Sequence, residues 1–204
     1  MLGGTALNPG VISVLVATMF VVLIATGWRR EMVGRVPASV TLLFVFGWFI
    51  LHPYSWHWNG IAVNGSYIMA LLCAIIAWML IGDGGDRLHT LSVAFLIAAI
   101  YVFFAQLYRT SPILILYSQT TDLALIAAAA AVVFCRRPME QWTVLTIGLW
   151  LGDALLGQLW GSTSEPQLGH AALYDLWWFA FAIARLVSVV VTRIVIRVKN
   201  ESID

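Results

Sequence analysis

The stretch GLWLGDALLGQLWG, Gly148 to Gly161, sets one carboxylate, Asp153, among Leu, Trp, Ala and Gly, with more apolar sequence on both sides. A run of this length and composition reads as a helix inside a bilayer, because no charged residue but Asp153 interrupts it. A carboxylate at such depth is costly and needs a task. It could be a catalyst, an ion ligand, half of a buried ion pair, or a polar tie between helices.

The rest of the chain has the same character. Of its 204 residues 61% are hydrophobic and 10% charged, and the mean hydropathy is +0.91. A soluble domain holds about 45–50% apolar and about 25% charged residues, so the excess apolar surface must face lipid. A net charge of +1 leaves no footprint for nucleic acid. Cys73 and Cys135 lie in or beside apolar runs and form neither a disulfide framework nor a metal cluster. The first apolar run has no basic segment before it and no small-residue cleavage site after it, so it reads as a transmembrane helix and not as a cleaved signal.

Seven runs are candidates for membrane spans: 10–28, 38–52, 61–81, 89–107, 112–134, 141–160 and 171–196. The fifth would open at Pro112, which a first helical turn tolerates, with Ser111 as N-cap. Joining 89–134 into one irregular unit would give six. Loop charges orient the chain. Arg29, Arg30, Arg35, Arg87, Arg136, Arg137, Arg193, Arg197 and Lys199 fall on one side of a seven-span layout, and only Arg109 on the other. Basic loops stay in the cytoplasm, so the N-terminus is expected outside and the C-terminus inside. The fold class is therefore an all-α polytopic bundle. Residues 1–198 form one integral-membrane domain and 199–204 a short cytoplasmic tail.

Several motifs have an architectural reading. AAAAA at 127–131 suits close helix packing, and so do the Gly-x-x-x-Gly pairs 148/152 and 157/161. GDGGD at 82–86 is too short for a calcium loop and reads as a tight turn. In HPYSWHWNG, 52–60, the rings of Tyr54, Trp56 and Trp58 suit a membrane interface or an outer lid over a cavity. His52, His57 and His170 share that side, but their spacing matches no closed metal site. NGS at 64–66 has the form of a glycosylation acceptor. A retinal protein would need a lysine in its last span, whereas Lys199 lies in the tail. No phosphate loop, Cys–His pair or His-Glu-x-x-His motif is present. Neither an enzyme nor a cofactor is therefore expected.

The ionisable residues inside the spans remain: Asp122, Asp153, Asp175 and Arg185. Asp175 and Arg185 share a face of the last helix but stand about 15 Å apart at 1.5 Å per residue, so they cannot touch. Arg185 is expected to pair with a carboxylate of span five or six, Asp122 or Asp153. The four form a candidate intramembrane cluster, either fixing helix register or serving as a binding or proton-relay site.

RRPMEQWTVLTIGLWLGD, 136–153, and VNGSYIMALLCA, 63–74, resemble the YphA-like family of small multi-pass membrane proteins of Gram-positive spore formers. The resemblance implies an integral protein of the bacterial plasma membrane and adds no catalytic residues. Two functions follow as expectations. One is a structural or accessory membrane protein whose partners are the lipid bilayer and other membrane proteins or further copies of itself. The other is a small transporter or proton-coupled permease built on the Asp/Arg cluster.

Overall fold

The computed structural model describes residues 8–34, 36–58, 60–159 and 167–201. Arg35 of the first basic loop, Trp160 at the end of the expected sixth span, Gly161 of the second glycine pair and the end of the tail, 202–204, lie outside the described residues.

Helix α1 (Val11–Leu23) runs through a π-helical turn, Ile24–Trp28, into α2 (Arg29–Val33). Gly27 bends the chain there with φ 98°, a left-handed value that a side chain would resist. The expected first span thus continues to Val33. Then come α3 (Ala38–Leu51), strands β1 (Ser55–Trp58) and β2 (Ile61–Asn64), α4 (Gly65–Met79) and α5 (Gly84–Thr110). A short 3-10 turn, Pro112–Leu114, leads to α6 (Gln119–Phe134), α7 (Pro138–Leu159), β3 (Gln167–Leu168) and α8 (Ala171–Glu201). Among the described residues four helices are long and apolar enough to cross a membrane: Val11–Val33, Gly84–Thr110, Pro138–Leu159 and Ala171–Ile194. Ala38–Leu51, Gly65–Met79 and Gln119–Phe134 are apolar but shorter.

Three expected boundaries move, each for a local reason. Span three does not begin as helix at 61. Residues 61–64 are β2, paired antiparallel with β1 and parallel with β3, and Asn64 caps α4 by accepting from the Ser66 N–H. Span five does not begin at Pro112. Ser118, not Ser111, caps α6, its hydroxyl accepting from the Thr121 N–H at 3.1 Å. Asp122 therefore stands in the first turn of α6 and not near mid-span. The GDGGD turn is shorter than expected, because Gly84–Asp86 already belong to α5.

The helix connections gather at two ends. At one, Gly34, Pro37, Ile81–Asp83, Asp86 and Arg137–Glu140 surround a cleft of about 640 Å³. Arg87 caps α4 there, donating to the carbonyls of Ile81 at 2.7 Å and Met79 at 2.8 Å. At the other end lie the start of α1, the three-stranded sheet and the start of α8, joined through Gly10, Asn64, Gly169 and Asp175.

Aromatic rings fill the space between α3, α7 and α8. Trp48 stacks on Trp177 at 5.8 Å, Phe44 meets Trp142 edge-on at 5.4 Å, and Trp177 meets Trp178 at 4.7 Å. Small residues do the opposite job. Ala124, Ala127, Ala128 and Ala131 are buried where α6 lies along α8. A Cβ at Gly148 would stand 2.8 Å from the Ala94 carbonyl oxygen, so only glycine lets α7 approach α5 this closely. Gly157 meets nothing within 4 Å, so the second glycine pair lacks this role at its first member.

Candidate functional site

The four charged residues do not form one cluster; each has a separate setting. Asp175, in the first turns of α8, reaches across to the start of α1. Its Oδ2 accepts from the Gly10 N–H at 2.7 Å and its Oδ1 from the Ser13 N–H at 2.6 Å. A helix leaves its first N–H groups without partners, and here a carboxylate from another helix supplies them. Asp122 does similar work locally, accepting from the N–H groups of Leu116 at 2.8 Å and Tyr117 at 3.4 Å.

Arg185 pairs with no carboxylate of span five or six, contrary to expectation. Its Nε donates to the Glu31 carbonyl at 3.0 Å, and one terminal nitrogen donates to the same oxygen. The other terminal nitrogen donates to Gln141 Oε1 at 2.8 Å. Gln141 Nε2 in turn donates to the Cys135 carbonyl at 2.8 Å and to Ser188 Oγ at 2.7 Å. Helix C-termini expose carbonyls with partial negative charge, which suit a guanidinium. The unit ties the ends of α2 and α6 to α7 and α8.

Among the described residues, Asp153 has the longest contacts of the four. It is 6% exposed, and its neighbours stand at the edge of hydrogen-bond range. Oδ1 lies 3.5 Å from His170 Nδ1, and the Gly169 N–H points at Oδ2 from 3.5 Å. The His170 side chain is 42% exposed, so it links the buried carboxylate to the outside of the bundle. Gly169 has φ 78°, and a Cβ there would stand 2.5 Å from Tyr174 Oη. Glycine is required for the chain to turn over Asp153.

Beside this pair runs a polar network that the sequence reading missed. Ser66 Oγ lies 2.6 Å from Asn64 Oδ1 and 2.8 Å from Tyr174 Oη. Asn64 Nδ2 donates to the His52 carbonyl at 2.9 Å, and His52 Nδ1 is 3.4 Å from Ser66 Oγ. The NGS signal was visible, but its amide nitrogen is engaged in holding α3 to α4, which argues against the glycosylation reading. Tyr67 and Trp150 exchange bonds with each other's backbone, both at 2.9 Å. Trp178 Nε1 is the single buried side-chain nitrogen or oxygen without a hydrogen-bond partner among the described residues.

Tyr54 and Trp56, two of the three expected lid residues, are exposed at β1, and Trp58 ends that strand. The Trp56 ring lies against Gly65, where a Cβ would stand 2.9 Å from its Cζ3. Among the described residues no group of three or more His, Cys, Asp or Glu could hold a metal ion. The 640 Å³ cleft belongs to the opposite end from Asp153. Its charges largely satisfy one another, with Arg137 2.9 Å from Asp86 and 3.3 Å from Glu140. The hydrogen bond to Asp86, helped by Glu140, holds the Arg137 guanidinium above its ordinary pKa.

Long apolar helices, buried charges spent on helix ends and aromatic packing throughout define an integral membrane protein. The chain belongs to the YphA-like integral membrane protein family, whose model matches residues 9–202. No curated protein and no solved structure matches it.

Proposed function

We propose that this is a structural or accessory protein of the bacterial plasma membrane, working through other membrane proteins or further copies of itself. The observation that carries this reading is the use made of the buried charges. Asp175, Asp122 and Arg185 bind backbone groups at helix or loop ends, which is the work of holding helices together. A transport site would also need such a group to face a cavity that a ligand can enter.

Seven crossings, with the N-terminus outside and the C-terminus inside, fit the helix order and the loop charges. The helices of 14, 15 and 16 residues at α3, α4 and α6 reach only about 21–24 Å, against a hydrocarbon core of about 30 Å. On this reading the segments 52–58, 60–64 and 111–118 at their ends supply the missing depth. Single cysteines at Ser55, Arg136 and Ser202, in a background with Cys73 and Cys135 replaced, test this layout. An impermeant thiol reagent is expected to label Ser55→Cys in intact cells and to spare the other two. Labelling of Arg136→Cys or Ser202→Cys overturns it.

One observation favours a second reading, a proton-coupled site: the buried Asp153 lies 3.5 Å from the half-exposed His170. Proteoliposomes under a pH gradient separate the two readings. We expect no proton flux above that of empty vesicles. A flux that Asp153→Asn abolishes without loss of folded protein would replace the structural reading with the permease.

A further inference from the structure

The loop between α5 and α6, SPILILYS at 111–118, is apolar, ordered and turned outward. Ile113 is 92% exposed, Leu116 93% and Tyr117 86%. In water such a cluster would be an exposed liability. The loop's backbone shows what kind of surroundings it fits. Non-helical chain facing lipid stays out of the hydrocarbon interior, and at its boundary polar groups that have partners within the protein need none from water. Pro112 has no N–H. Of the other seven N–H groups in 111–118, five donate internally. Ser111 donates to the Leu107 carbonyl, Leu114 to that of Ser111 and Ile115 to that of Pro112. Leu116 and Tyr117 donate to the Asp122 carboxylate.

Depth agrees. α6 has 16 residues and rises about 24 Å, some 6 Å short of the hydrocarbon core. If α6 crosses the bilayer, the loop at its start lies within the missing depth. We propose that residues 111–118 form a lipid-embedded cap, its side chains among the acyl chains and headgroup boundary of the adjoining leaflet, and that Asp122 makes the embedding possible by taking up two N–H groups. The inference rests on the seven-crossing layout proposed above. Tyr117 suits the headgroup boundary, where an aromatic ring with a polar tip is favoured.

The test places a polarity-sensitive fluorophore on Leu116→Cys, and in a second protein on Ser55→Cys, both without the native cysteines. Each is reconstituted into phosphatidylcholine–phosphatidylglycerol vesicles. The Leu116 probe is expected to emit to the blue of the Ser55 probe, to be quenched by nitroxide-bearing lipids, and to resist iodide. Asp122→Ala is expected to move the Leu116 probe toward iodide access. Equal iodide quenching at both sites overturns the proposal. So does a blue shift that vanishes when the vesicles are diluted to one protein each, since a second copy would then be covering the loop. Asp122→Ala without effect on a folded protein overturns the part given to the carboxylate. Thiol labelling of Arg136→Cys in the same vesicles reports separately on whether α6 crosses. A spared Arg136→Cys with an iodide-accessible Leu116 probe refutes the cap alone.

Discussion

Gly148→Leu is expected to be among the most damaging single substitutions in the chain. A Cβ at this position would stand 2.8 Å from the Ala94 carbonyl oxygen and 2.9 Å from Ile97 Cβ and Cγ2. A carbonyl inside α5 cannot step aside, so α5 and α7 must separate along their length. Overpacking costs about 1–3 kcal/mol and occasionally more, and separation here also opens the aromatic layer behind α7. Gly152→Ala should cost less than Gly148→Ala. Its nearest neighbour, 2.5 Å away, is a Tyr101 ring carbon, and a ring can shift where backbone cannot. Gly157→Ala meets nothing and should be neutral or gain up to about 1 kcal/mol of helix stability. Thermal unfolding of the detergent-solubilised variants gives the order. If Gly157→Ala proves as harmful as Gly148→Ala, the close approach of α5 and α7 is not what these glycines provide.

The second large effect is expected at Arg185. Arg185→Leu strips a partner from the carbonyl of half-buried Glu31 and from the buried Gln141 Oε1. Each buried polar group left alone costs about 1–3 kcal/mol. Gln141→Leu should hurt comparably, because it leaves part of a buried guanidinium and the Cys135 carbonyl without partners. The double variant should be less damaged than the sum, with a coupling of about 0.5–3 kcal/mol. Arg185→Leu should combine additively with Asp122→Asn and with Asp153→Asn, since neither carboxylate touches the guanidinium. Coupling to either aspartate as large as that to Gln141 would restore the carboxylate pairing that the sequence suggested.

That contrast shows which parts of the protein the sequence reveals. Apolar runs and the few polar residues within them are legible, because lipid tolerates little else; all seven runs contain a helix, and Gly148 and Gly152 perform the packing their spacing announces. The partner of Arg185 is not legible, because it is chiefly a backbone carbonyl, and every residue has one. Asp122 is misplaced for a related reason. Hydropathy cannot tell an apolar loop from an apolar helix, so SPILILYS merges with the span after it. Only the cap at Ser118 divides them. The 55–64 hairpin hides likewise among aromatics that suit a membrane interface just as well. Asp153 and His170 were each visible, but their meeting depends on Gly169 turning the chain back over α7.

The bonds that shut one end of the bundle join its earliest helix to its latest. Asp175, on α8, completes the start of α1, and β3, just before α8, completes the edge of β2. Synthesis delivers α1 and the hairpin long before either partner exists. Until β3 and α8 are made, the free edge of β2 and the Gly10 and Ser13 N–H groups must be served by water, lipid headgroups or the insertion machinery. The nascent protein is thus an open clasp for most of its translation, fastened in one late step. A ribosome stalled before residue 167 would hold a chain with the earlier helices made and that end still undone.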